Sequence, residues 1–410
     1  VGADGRGATR RRGTARPDLL PRLLATRPEV LGTVMRAPEQ YEVQILYTQI
    51  DRDARNRPHF TEHAFRVDPA AYFYPASVVK LAGALVALEK LNHLAIAGLD
   101  RNTPLRIGRV APEQTAVVVD TKAAQGRPTI GSYIERIFAV SDNDAYNRLY
   151  EFIGQDELNQ SLWRKGYHQV RLTHRLSVPL TAAENRCTNP FDFYARDWPR
   201  DVIYHQPAQV SSRVYRAPQP VLRGVAEVVD GVLQPRPKDF AGLNWMSVEV
   251  MQRLLRAVVF PASLPSGCRF DLRPDDHRFL LRAMSRLPRE SRHPAYDPHH
   301  YYDAYVKFLL FGDRREPLPP SVRVYNKVGL AYGFMVDNAY VADFEHGIEF
   351  LLTAVIAVNA NGVYNDDHYE YDRIGFPFLA NLGRVIYDYE RQRRRSRAPD
   401  LSRFVFTYDD

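Results

Sequence analysis

Lysine is scarce in this chain. Its 410 residues carry 55 basic side chains, and seven of them are lysines. Arginine therefore supplies nearly all the positive charge. A guanidinium stays protonated, whereas a partly buried lysine ammonium can lose its proton and act as a base. In such a chain a lysine is more informative than an arginine. Cysteine is scarcer still, with only Cys187 and Cys268. Two cysteines exclude a disulfide-stapled scaffold but leave open one bridge or two free thiols. No run of about 18 uncharged apolar residues occurs, so no segment reads as a membrane-spanning helix.

Charge of one sign is not in large excess either. The net charge is +7, and the densest basic runs, Arg10 to Arg12 and Arg391 to Arg397, lie near the ends. Such runs read as solvated tails. Without a recognisable nucleic-acid module beside them, nucleic acid is not expected as a partner. What is present is ordinary globular material. Hydrophobic residues make up 45% and charged residues 25%, enough for one large core or two modest ones.

Residues 1–16 are rich in Gly, Ala and Arg and are expected to be disordered. From Pro17 the pattern is helical, with Leu19, Leu20, Leu23, Leu24, Val30, Leu31 and Val34 on one face. Tyr41 to Ile50 alternates like a strand, and a polar turn leads to a second strand near Phe60–Val67. Pro75 suits the start of a helix that runs to Leu94. Further helices are expected over Ile130–Tyr150 and Gln155–Lys165. The Pro- and Arg-rich middle, about 185–320, offers only Met246–Val259 and Tyr301–Leu310 as helices. Strands return at Arg323–Val328, Phe334–Phe344 and Ile348–Asn359, before a last helix from Phe376 to Arg391. Strands at both ends with helices between them imply an α+β fold. An antiparallel sheet would be built from 17–75 and 321–398 and covered by the first and last helices. A helical lobe, 76–320, would be inserted, enlarged over about 190–320.

Two of the seven lysines sit in short motifs. Ser77-Val78-Val79-Lys80 opens the 75–94 helix, and Lys327-Val328-Gly329 lies on a strand, with Ser141-Asp142-Asn143 between them. S-x-x-K alone is weak, since a chain this long produces it by chance about once. Its setting helps. The i, i+3 spacing puts Ser77 and Lys80 on one helical face, so the amine can reach the hydroxyl. A helix start would also stabilise an oxyanion on Ser77. Ser-Asp-Asn is the rarer motif. It also reads as a helix N-cap, and a capped turn is a rigid platform for a catalytic hydroxyl. A lysine on an inner strand offers charge to a substrate carboxylate, and a glycine two residues later lets the substrate backbone approach.

The ordered set S-x-x-K, S-D-N, K-x-G resembles that of the class A β-lactamase and penicillin-binding serine hydrolase superfamily. The resemblance implies a β-lactamase/transpeptidase-like fold and acyl transfer without a cofactor. It makes Ser77 the nucleophile, Lys80 its base, and Ser141 the relay of a proton to the leaving nitrogen. Asn143 would hold the substrate amide and Lys80. Lys327 would attract a substrate carboxylate. Val328, Gly329 and Leu330 would line the substrate, with the Ser77 and Leu330 N–H groups as oxyanion hole. The substrate would be a small molecule or peptide bearing a carboxylate. The chain opens on Val1 without an apolar signal stretch, so a trimmed form of a periplasmic or secreted protein is expected.

Two departures from the family pattern stand out. Val328 replaces a Thr or Ser whose hydroxyl would bind the carboxylate. The stretch Arg171 to Leu180 lacks the Glu that would activate the deacylating water, leaving Glu184 as the replacement candidate. Weak deacylation is therefore expected. A penicillin-binding-type D,D-peptidase and an inactive binding protein that keeps the cleft are the alternatives. His293, Asp297, His299, His300 and Asp303 have no metal-ligand spacing and read as a polar surface loop, so no metal is expected.

Overall fold

The computed structural model describes residues 19–195 and 200–408. Residues 1–16, expected to be disordered, lie outside the described residues.

The first apolar stripe forms two helices rather than one, α1 (Leu19–Ala25) and α2 (Pro28–Met35). Pro28 has no N–H to continue α1 and instead occupies the first turn of α2. Strands β1 (Gln44–Arg52) and β2 (Pro58–Phe65) follow as a hairpin. The helical region holds α3 (Val79–Leu94), α4 (Ile130–Val140), α5 (Asn143–Ile153) and α6 (Gln155–Arg164). The helix expected over 130–150 is thus broken at Ser141-Asp142. Ser141 is left-handed (φ 60°) and ends α4, and the Asp142 side chain accepts Ala145 N–H to begin α5.

The stretch 190–320 contains several small β pairings, such as 191–194 with 105–107 and with 202–206. It also holds two helices, α7 (Val248–Val259) and α8 (Pro274–Ser285), whose apolar residues join the main core. The expected helix at 301–310 does not form. A 3-10 turn covers Asp303–Val306, and Leu309 and Leu310 leave helical geometry. The Phe308 and Leu309 N–H groups donate to Asp337 instead, at 3.0 and 2.9 Å.

Strands β3 (Val322–Ala331), β4 (Phe334–Asp343) and β5 (Ile348–Ala357) complete the sheet, and α9 (Phe376–Gln392) closes the chain's last helical layer. The sheet is antiparallel, in the order β3-β4-β5-β1-β2. Both faces are buried, and period-2 alternation assigns each residue to a layer. On β1, Ile45 and Tyr47 join the cluster of α1, α2 and α9, with Leu24, Leu31, Leu382 and Ile386. Leu46 and Ile50 join the helical cluster with α3 and α7. The sheet is thus sandwiched between terminal helices and a helical lobe. Its edge strand β3 runs beside the start of α3, and that edge carries the third motif.

Candidate active site

Ser77 lies in a 3-10 turn, Ala76–Val78, that leads into α3. Ala76 before it is held at φ 45°, a left-handed conformation that a side chain adopts only when its surroundings enforce it. The enforcing neighbour is β3. A Cβ at Gly329 would stand 2.3 Å from the Pro75 carbonyl oxygen and 3.2 Å from Ala76 Cβ. Glycine at 329 therefore serves the packing of the strand against the turn that carries Ser77.

The three motifs meet at the Ser141 hydroxyl. Lys80, 0% exposed, donates to Asn143 Oδ1 at 2.6 Å, to Ser141 Oγ at 3.2 Å and to the Ser141 carbonyl oxygen. Lys327, 2% exposed, donates to Ser141 Oγ at 2.8 Å and to the Val328 carbonyl at 3.0 Å. Two ammonium groups on one oxygen, both out of water, cannot both hold their charge cheaply. Burial, reinforced by the Lys327 charge and opposed by Asp142, holds the Lys80 amine well below the usual lysine range. Burial brings Lys327 down to about 7, with Asp337 opposing and Lys307 assisting.

The Ser141-Asp142-Asn143 turn is itself braced. Asp142 takes the Arg136 guanidinium through Nε and a terminal nitrogen at 3.1 and 2.9 Å, and Arg136 also reaches Asp120 at 2.5 Å. With the cap to Ala145, this fixes the left-handed Ser141 and aims its hydroxyl at both lysines.

The Ser77 hydroxyl is half-buried and makes no hydrogen bond among the described residues. It lines a cavity of about 340 Å³ with Asn143, Ser177 and Leu330. Leu330, 37% exposed, lines this cavity. Val328 does not. It is 3% exposed and packs in the terminal-helix layer with Val324 and Met335, because alternation along β3 turns it away from Lys327.

Glu184 is not brought to this cavity. It lines a different one with Arg148 and Val178, and its carboxylate accepts the Thr181 N–H at 2.6 Å. What contacts Asn143 from the loop lacking an acid is Ser177. Asn143 Nδ2 donates to Ser177 Oγ at 2.7 Å. The loop is pinned on α5. Asn147 brackets Leu176 N–H and C=O at 2.8 and 3.0 Å, and Arg175 pairs with buried Glu151 at 3.0 Å. Sequence reasoning identified this loop but not Ser177. It also missed Tyr332, Asn365, Asp367, Tyr369 and Tyr371, which line the Ser77 cavity from the β3–β4 turn and the segment after β5. No short motif marks them.

Cys187 and Cys268 are both free thiols. The 293–303 residues are partnered separately. His300 meets Asp297 at 2.8 Å on the surface, while buried Asp303 takes Arg289 and the Leu318 N–H. No group of three metal-ligating side chains occurs among the described residues. No helix of the described chain is long and apolar enough to cross a membrane.

A hydroxyl at a helix start, a buried amine one turn on, and a second hydroxyl held between two lysines thus come together on an α+β sandwich. The chain belongs to the beta-lactamase enzyme family, whose model matches residues 31–389, and it is a serine hydrolase of that superfamily. Among solved structures it is similar to a β-lactamase from Xanthomonas campestris pv. campestris, at 14% identity and TM-score 0.48, over 90% of this chain and 98% of that one. A β-lactamase from Streptomyces albus G matches at 15% identity and TM-score 0.47, over 89% and 99%. An ancestral class A β-lactamase matches at 15% identity and TM-score 0.48, over 88% and 99%. No curated protein matches the chain.

Proposed function

We propose that Ser77 forms an acyl-enzyme with an amide or β-lactam and that this acyl-enzyme is released slowly. The observation that carries the chemistry is Ser141 Oγ between the Lys80 and Lys327 amines, at 3.2 and 2.8 Å. Neutral Lys80 takes the Ser77 proton as Ser77 Oγ attacks the carbonyl carbon. The tetrahedral oxyanion is received by the Ser77 and Leu330 N–H groups. As the C–N bond breaks, the Ser141 O–H protonates the leaving nitrogen and recovers a proton from Lys80. Lys327 orients Ser141 and draws in a substrate carboxylate.

Release requires a base for water. The side chain on the Asn143 amide is Ser177, and a serine hydroxyl cannot hold a water's proton near neutral pH. Slow deacylation follows. The same observation favours the second reading, a D,D-peptidase or transpeptidase acting on peptidoglycan peptides, in which an amine rather than water receives the acyl group. Either activity fits a periplasmic or secreted protein.

Intact-mass spectrometry after exposure to a β-lactam panel tests this. A stable mass increase on wild type, with hydrolysis much slower than acylation, is expected. Rapid turnover with no adduct would overturn slow release.

A further inference from the structure

The Ser77 cavity has one charged lining residue among those described, and it is an acid. Asp367 stands at the mouth with Tyr332, Tyr369 and Tyr371; no lysine or arginine lines the cavity. The Asp367 side chain is exposed, and among the described residues no hydrogen bond or ion pair engages its carboxylate. Its charged neighbours are occupied or turned outward. Asp366 accepts from Asn361 at 2.7 Å and from the His368 N–H at 3.0 Å, Glu370 accepts the Ala360 N–H at 3.1 Å, and the His368 ring turns back on the Asp366 carbonyl.

The segment is built to hold this geometry. Asn365 and Asp367 are both left-handed, at φ 64° and 59°, a strain that persists only where the surroundings fix it. Two phenols fix it. Tyr369 Oη accepts the Asn365 N–H at 2.9 Å, and Tyr371 Oη accepts the Gly333 N–H at 2.7 Å. The second bond ties the segment to the β3–β4 turn that carries Tyr332. The Tyr369 and Tyr371 rings lie 5.3 Å apart. Both side chains line the cavity together with Asp367, whose carboxylate has no partner among the described residues. Burial raises both phenols, and the Asp367 charge adds to the effect.

Aromatic faces and an unpaired carboxylate attract cations, most strongly those that are weakly hydrated. An anionic group seated beside Asp367 meets like charge, because Lys327, 2% exposed, is held at Ser141 rather than at this end. We propose that Asp367, Tyr369, Tyr371 and Tyr332 form a subsite for a positively charged, ammonium-type group of the acyl donor. This rests on Ser77 being the nucleophile of the same cavity. A donor with a carboxylate toward Lys327 and a cation toward Asp367 satisfies both ends. Asp367 is then a specificity-determining residue.

The test uses thioesters matched in size whose distal group is trimethylammonium, neutral tert-butyl or carboxylate. Ser77 acylation rates are read by intact mass. The cationic donor should react about tenfold faster than the neutral one, the range of one cation–aromatic contact plus a carboxylate, and the anionic donor slowest. Asp367→Asn should shrink the cation-to-neutral ratio severalfold, and Asp367→Lys should invert the order. Equal rates in wild type, or an ordering unchanged in both variants, would overturn the subsite. A second measurement does not pass through acylation. Saturation-transfer NMR compares unreactive amides with the trimethylammonium and tert-butyl ends on wild type and Asp367→Asn. Binding selective for the cation and lost in the variant upholds the subsite even if no donor acylates Ser77, in which case the reading of Ser77 as nucleophile alone fails. Equal binding of both amides overturns the subsite.

Discussion

Ser177→Glu should convert a slow acyl-enzyme into a faster one. Ser177 accepts the Asn143 amide at 2.7 Å and lines the Ser77 cavity, so a carboxylate there would sit beside both the ester and Asn143. Positioned general bases contribute about 10²–10⁴-fold. An introduced Glu without evolved support should reach the lower end, a deacylation gain of about 30- to 100-fold. The backbone cost is small, because Ser177 already carries a left-handed φ of 55° and a glutamate adds little to a strain already present. A second effect has the opposite sign. A carboxylate near Lys80 favours its charged form, so the rise of acylation with pH should move upward by about one pH unit. The assay is a chase. The adduct is formed with excess β-lactam, free compound is removed, and the acylated fraction is followed by intact mass at several pH values. A folded variant whose adduct decays no faster than wild type would refute the view that a missing base limits release.

Other outcomes follow from the same geometry. Lys80→Arg keeps a charge but not a base, and acylation should fall by a hundredfold or more, given general-base contributions of about 10²–10⁴; Lys327→Arg should cost less, since a guanidinium can still donate to Ser141, and equal tolerance at both sites would sink the division of roles. Acylation should rise with pH as the lysine pair loses a proton, because the reactive form of Lys80 is the neutral one. Lys327 is lowered in the fold to about 7 from 10.5; the unfolded chain binds more protons between these values, so this group's penalty is full below 7 and relieved as pH rises toward 10.5. Urea titrations of wild type and Lys327→Met should therefore show the variant's stability advantage shrinking over that range, and a pH-independent difference would contradict the buried, lowered amine. Gly329→Ala puts a Cβ 2.3 Å from the Pro75 carbonyl and should destabilise by about 1–3 kcal/mol, read as a lower Tm with slower acylation; an unchanged Tm would show that β3 is not locked against the nucleophile turn.

The three motifs were legible because their chemistry depends on residue type and order, and a lysine-poor chain makes such residues conspicuous. The sheet was legible for a related reason. β1 and β3 to β5 are buried on both faces and rich in Val, Ile, Leu and Tyr. What the pattern hid has physical causes. Helix α8 carries Pro274 and two acids in its first turn, but those signals lie within a run of arginines and prolines. The failed helix at 301–310 was lost to a tertiary competitor, the Asp337 carboxylate, which lies far off in sequence. The turn of Val328 into the terminal-helix layer follows from strand alternation, yet the motif resemblance pointed the other way. Ser177 and the Asp367 segment bear no motif, since left-handed residues other than glycine leave no mark in composition. The cavity is lined from the turn before α3, the α4–α5 junction, the 171–185 loop, the end of β3 with the β3–β4 turn, and the segment after β5; the loop and the last segment carry no motif that announces them.

The most direct measurement is the mass and location of the covalent adduct. Wild type and Ser77→Ala are exposed to the same reactive β-lactam, examined intact, and digested for peptide mapping. One acyl group per chain, on the peptide containing Ser77, and none on the variant is the expected result, with both proteins showing the same thermal unfolding. An adduct that persists in Ser77→Ala, or that maps to another serine in wild type, would contradict the assignment of Ser77 as nucleophile.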